Sequence, residues 1–126
     1  MAKMVVQTSF APAAVGPYSQ AVYSEGLVFC SGQVAIDASS GELLHGTIAD
    51  ETRTCLRNLS AVLEAAGTSL IHVVKTTAYL VDMNDFGEFN EAYAEFFAVD
   101  PPARATVGVS ALPKGARVEI ECVARV

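Results

Sequence analysis

The run PPARATVGVSALP, residues 101–113, carries a single charge, the guanidinium of Arg104, between Asp100 and Lys114. Two chemistries suit such a group. An arginine at the head of an apolar strand can snorkel to solvent or pair with a carboxylate on a neighbouring strand. Its planar fork can equally receive the carboxylate of a small ligand through two parallel hydrogen bonds. The nearby segment RVEIECVARV supplies two carboxylates, Glu119 and Glu121, two residues apart and so on one side of a strand. Either could pair with Arg104, stand in solvent, or take a proton from a water. Spacing leaves these readings open and does not choose between the glutamates.

The other reactive side chains exclude more than they offer. His45 and His72 are far apart, with no third ligand at metal-binding spacing, so a metal site is not expected. The three cysteines, Cys30, Cys55 and Cys122, form no CxxC pair and lie in apolar neighbourhoods. They read as buried thiols in a cytoplasmic or other reducing compartment. No Ser/His/Asp or Cys/His set is evident.

These groups need a scaffold, and 126 residues with 52% apolar content are enough for one domain, 1–126, with its own core. A net charge of −6 with eight scattered basic residues argues against tracking a nucleic-acid backbone. No apolar run is long enough to cross a membrane, and the opening MAKMVVQTSF does not read as a secretory signal.

Periodicity then assigns the elements. Residues 3–7 suit a short strand, and QAVYSEGLVFCSGQVAI suits two strands hinged at Glu25-Gly26. Cys55, Leu56, Leu59, Val62, Leu63 and Ala66 make one face of a helix over 47–66, with Thr47 and Asp50 at its start and Gly67 at its stop. HVVKTTAYLV is a strand. Phe86, Phe89, Tyr93 and Phe96 mark a second helix, capped by Asp82 or Asn84, with its aromatic stripe in the core. ARATVGV and RVEIECVARV close the chain as strands joined by the turn LPKGA. In the last strand Val118, Ile120, Cys122, Ala124 and Val126 share one face; Arg117, Glu119, Glu121, Val123 and Arg125 share the other. The order β-β-β-α-β-α-β-β predicts an α+β two-layer sandwich, a mixed sheet with both helices on one face. The uncovered, half-apolar face suits a subunit interface.

The segment PARATVGVSALPKGARVEIE resembles the signature of the RidA/YjgF/UK114 family. APAAVGPYSQAV, CSGQVAID, NLSAVLEAAG and VVKTTAYLVDMNDFGEFNEAYAEFF agree with that family in order and spacing, so the likeness covers nearly the whole chain. The resemblance implies the chorismate-mutase-like YjgF fold, a homotrimer with clefts between subunits, and no cofactor. It also implies hydrolysis of reactive 2-imino or 2-enamino acids, such as 2-aminoacrylate and 2-aminocrotonate, to 2-keto acids and ammonia. These arise from pyridoxal-phosphate enzymes acting on serine or threonine. Carried over residue by residue, Arg104 holds the substrate carboxylate and Glu119 the attacking water. Tyr18, Ser31 and Gly32 line the cleft. Thr106 stands where many members have cysteine; its backbone carbonyl is implied to accept from the imine nitrogen. Members have also been described as chaperone-like, as regulators and as ribonucleases, and an aminomuconate-type acid is an alternative substrate.

Overall fold

A computed structural model describes residues 3–126. The elements follow the expected order: β1 (Met4–Val6), β2 (Ala21–Ser24), β3 (Leu27–Val34), α1 (Ile48–Ala65), β4 (Val73–Leu80), α2 (Phe86–Ala94), β5 (Ala103–Gly108) and β6 (Val118–Arg125). The strands form one six-stranded sheet in the order β1-β2-β3-β6-β4-β5. All neighbours are antiparallel except β4 and β5, which are parallel. That exception follows from connectivity: a parallel pair needs a crossover, and α2 provides it. The last strand slots between β3 and β4, so the C-terminal segment completes the middle of the sheet.

Local chemistry accounts for the joints. The two-residue turn between β2 and β3 places Glu25 at φ 50° and Gly26 at φ 84°, the left-handed pair that a tight hairpin requires. Thr47 caps α1 by accepting from the Asp50 backbone N–H at 3.0 Å, and Gly67 follows its end at φ 88°. Asp82 accepts from the Asn84 N–H at 2.9 Å and caps the single turn that leads into α2.

Both helices lie on one face of the sheet. Cys55, Leu56, Leu59, Val62 and Leu63 of α1 are fully buried against Val28, Ala78, Leu80, Ile120 and Ala124. Each such side chain, moved out of water, contributes roughly 1.5–3 kcal/mol when large and aliphatic. Among the described residues no element covers the sheet's other face. Val5, Val22, Phe29 and Val123 lie side by side across four strands there, with Phe29 46% exposed.

Four details differ from the expected pattern. α2 ends at Ala94, and Phe97 beyond it joins the buried core while Phe96 packs half-buried against that core. Phe86, at 36% exposure, is open to solvent, because the first residue of a helix stands at the layer's margin. Arg117 precedes β6 and escapes its alternation, turning to the helix side, where its Nε donates to Glu51 of α1 at 2.9 Å. Val126, also past the strand's end, is exposed. Among the described residues no helix is long and apolar enough to cross a membrane.

Candidate active site

Arg104 sits on β5, the edge strand, in register with Thr76 of β4 and on the helix-covered face. Its guanidinium carbon lies 4.7 Å from the ring centroid of Tyr93, 5.5 Å from Phe89 and 5.6 Å from Phe86. Aromatic faces attract a cation but satisfy none of its N–H donors. Among the described residues Arg104 forms no salt bridge, and no side-chain hydrogen bond uses it; the ion pairs join Arg53 to Asp50 and Glu95, and Arg117 to Glu51. The pairing of Arg104 with Glu119 or Glu121 does not occur, because both glutamates project from the opposite face. Five directional donors on a half-buried cation are thus left without a side-chain acceptor among the described residues, on an edge strand. Thr106, two residues on, faces the same way, and its buried hydroxyl oxygen has no partner.

Glu119 lies on the uncovered face of β6. Together with Tyr18, Gly32, Pro12, Val15 and Lys114 it lines a cleft of about 130 Å³. A one-residue bulge shapes that cleft: between Cys30↔Cys122 and Gln33↔Ile120, β3 spends Ser31 and Gly32 where β6 spends only Glu121. The bulge brings the backbone of residue 32 against the Glu119 carboxyl. A Cβ on Gly32 would stand 2.8 Å from the Glu119 Cδ, so the close approach depends on glycine. Burial, and secondarily the charge of Glu121, push the Glu119 carboxyl above its ordinary value.

Glu121 is engaged differently. It accepts from the Tyr79 hydroxyl at 2.6 Å, an interaction that pushes Tyr79 up to about 12. Glu119 has no such partner among the described residues and faces the cleft. The structure therefore separates two carboxylates that spacing left equivalent.

The N-terminal turn forms the cleft's other wall. Tyr18 is half exposed, and its hydroxyl oxygen accepts from the Val15 N–H at 3.4 Å. The Ser31 hydroxyl donates to the Ser19 carbonyl at 2.6 Å, so it holds the turn and lies beside the cleft. Gln20, which the sequence did not mark, is nearly buried and does most of the tethering. Its oxygen accepts from the Thr8 N–H at 2.8 Å, and its amide donates to the carbonyls of Thr8 at 3.1 Å and Pro12 at 2.8 Å. The only signal for Gln20 was a polar residue at the start of an apolar strand. Lys114 in the cleft and the aromatic bed under Arg104 were equally unmarked.

Within one chain these groups form two separate clusters. Tyr18, Gly32 and Glu119 share a cleft on the uncovered face, with Ser31 beside it; Arg104 and Thr106 lie on the helix face. Glu119 registers with Tyr79, and Tyr79 with Val107, three residues beyond Arg104. Two strand spacings and three residues each amount to about 10 Å, and the sheet itself lies between. A small ligand cannot bridge that gap in one chain.

No three His, Cys, Asp or Glu side chains among the described residues are grouped to hold a metal ion. Cys30, Cys55 and Cys122 are free and buried, and burial pushes the Cys55 thiol up.

Comparison with known proteins agrees with this geometry. The mouse protein named 2-iminobutanoate/2-iminopropanoate deaminase is 51% identical over 122 residues, covering 97% of this chain and 90% of its own length. A Rid-family structure from Yersinia pestis superposes with a TM-score of 0.96 at 47% identity, covering 99% of this chain and all of that one. Escherichia coli TdcF, solved with bound serine, gives 0.93 at 37% identity over 98% of both chains. The family model described as Endoribonuclease L-PSP matches residues 8–126. With kinship along nearly its whole length, the chain belongs to the family described as Endoribonuclease L-PSP, and Rid proteins are among its relatives.

Proposed function

We propose that this chain hydrolyses 2-imino and 2-enamino acids to 2-keto acids and ammonia, as a homotrimer of the single domain 1–126 with its active sites between subunits. The observation that carries the proposal is Arg104, a half-buried guanidinium on an edge strand with no anionic partner among the described residues. A 2-imino acid offers the missing carboxylate beside its reacting C=N carbon. The mouse relative's name and the amino acid bound to the E. coli relative suit such a ligand. An RNA substrate suits it poorly, given a net charge of −6 and eight scattered basic residues.

In this reading Arg104 clamps the carboxylate, with the Gly32 N–H as a further donor. The backbone carbonyl of Thr106 accepts the imine N–H; a backbone group serves whatever the side chain, so threonine in place of cysteine is harmless. Glu119 holds a water against C2. As the water's oxygen bonds to C2, the C=N π pair moves to nitrogen, and Glu119 takes the water's proton. Glu119 then passes it to nitrogen, which gives the neutral carbinolamine. The carboxylate next takes the hydroxyl proton and delivers it to the amine as the C=O forms and the C–N bond breaks, so nitrogen leaves as ammonia. Tyr18 and Ser31 shape the wall. No cofactor enters these steps. A second copy that covers the Val5–Phe29 face would bring its Tyr18–Glu119 cleft to the Arg104 edge of the first. The buried thiols fit the cytoplasm or another reducing compartment.

The test couples a pyridoxal-phosphate threonine dehydratase, which releases 2-aminocrotonate, to semicarbazide as an imine trap. The chain is expected to divert the imine from semicarbazone to free 2-ketobutyrate; no diversion by the folded protein rejects the activity. Subunit sharing is tested by refolding Arg104→Ala and Glu119→Gln chains together at equal ratio. Random assortment in a closed ring should pair an intact arginine with an intact glutamate at about a quarter of the interfaces. Activity recovered to that level supports shared sites, whereas a mixture as inactive as its parents rejects them.

Gly32→Ala is expected to cost at least about tenfold in kcat/KM with little loss of stability. The added methyl displaces the mobile end of Glu119 rather than backbone, so the water moves and the fold does not. Steady-state rates beside a thermal melt check both halves of that expectation.

A further inference from the structure

An arginine that recognises a carboxylate must present its fork in one plane, yet its side chain turns about four single bonds. Among the described residues no side-chain hydrogen bond fixes the plane of Arg104, so the orientation must come from what lies beneath it. Tyr93 is the nearest of its three rings, at 4.7 Å, and is only 6% exposed. Its ring is wedged between Phe89, 5.5 Å away at 41°, and Phe97, 4.7 Å away at 41°. Its hydroxyl is hydrogen-bonded to that of Thr76 at 2.7 Å. Thr76 is fully buried and is the β4 residue in direct register with Arg104. The strand that pairs with the arginine thus also fixes the ring beneath it.

From this geometry we infer that Tyr93, locked by Thr76, is a positioning residue for the reaction: it fixes the plane and height of the Arg104 guanidinium, and so the affinity for the substrate carboxylate. The inference rests on the reading of Arg104 as a carboxylate clamp. Phe86 and Phe89 hold the cation's flank, but neither has a polar anchor. The ring makes the platform, and the Thr76–Tyr93 hydrogen bond keeps it from tilting. Water addition at C2 belongs to Glu119, so the platform bears on binding more than on turnover.

The experiment measures KM and kcat for 2-aminocrotonate, together with inhibition by the product 2-ketobutyrate, in Tyr93→Leu, Tyr93→Phe, Thr76→Val and the Tyr93→Phe/Thr76→Val pair. Loss of a sheltered cation–π platform corresponds to roughly 5- to 30-fold. Tyr93→Leu should raise KM and the product Ki together by that factor, with kcat changed less than about threefold. Tyr93→Phe and Thr76→Val should each raise both constants about two- to fivefold, and the double variant no further, since both remove one bond. A general loss of packing would lower melting temperature and active fraction without moving Ki.

Folded Tyr93→Leu with unchanged KM and Ki overturns the inference. If that variant does not fold, unchanged constants in both Tyr93→Phe and Thr76→Val overturn it instead. Arg104→Ala is run alongside. If it too leaves KM and Ki unchanged, the clamp reading fails; if it raises them while the Tyr93 and Thr76 variants do not, only the platform fails.

Discussion

Arg104→Ala is expected to lower kcat/KM for 2-aminocrotonate by about 10²- to 10⁴-fold. Two charge-assisted hydrogen bonds, each contributing on the order of 1.5–3 kcal/mol in a sheltered site, set that range. Part of the loss falls on KM, because the carboxylate is held before the reaction; part falls on kcat, because C2 is no longer fixed against the water. Stability should change little. Among the described residues the guanidinium forms no ion pair or side-chain hydrogen bond that would be broken, and what is lost is its contact with the Tyr93, Phe89 and Phe86 rings. Arg104→Lys sharpens the test by keeping the charge and removing the fork. A fall of roughly tenfold or more in the lysine variant identifies geometry as the operative property. Full activity in the alanine variant, measured as semicarbazone against 2-ketobutyrate, would show that the cation serves no substrate.

Glu119→Gln is expected to lower kcat by about 10²- to 10⁴-fold with a smaller effect on KM, the range associated with losing a positioned proton acceptor. The amide still accepts a hydrogen bond from water, but it takes no proton. The pH dependence gives a second signature. Burial, then Glu121, raise the Glu119 carboxyl above its ordinary 4.5, so the acid limb of the wild-type rate profile should lie above the usual glutamate range. Glu121→Gln, which keeps an acceptor for the Tyr79 hydroxyl, should shift that limb downward.

Stability should move oppositely to activity. With the folded value above the unfolded one, ionised Glu119 disfavours the folded state. Its effect is absent below about pH 4.5 and grows to its full size as pH rises through the folded value. Glu119→Gln should therefore melt higher than wild type near pH 7 and match it at acid pH. An inactive variant with a raised neutral melting temperature fits a residue strained for its task; unchanged activity excludes Glu119 as the base.

The elements were legible because their signals are local. The period of Cys55–Leu63, the Glu25-Gly26 hinge and the alternation of β6 each follow from how successive Cβ atoms point along a helix or strand. The same logic failed where an element ended. Arg117 and Val126 were assigned by continuing a period past the last residue that obeys it. The aromatic stripe was right for Phe89 and Tyr93 as core and incomplete as chemistry. Spacing along α2 does not say that an arginine from another strand will rest on those rings.

The site was legible as residue types through family resemblance, and only in part as an arrangement. Glu119 and Glu121 occupy equivalent positions on one strand; the difference between them is made by Tyr79 on β4 and the bulge at Gly32 on β3. Both lie far away in sequence.

The sequence by itself determined the order of strands and helices, the helix faces, the tight turns and the lone charge at the head of β5. Each depends on neighbours within a turn or a pleat. Tertiary structure alone decided that β6 inserts between β3 and β4, which sets Glu119 facing away from the helices while Arg104, two strands over, faces toward them. Register and strand order arise from burying one apolar face across segments distant in the chain, and no local period encodes which strand becomes the neighbour of which.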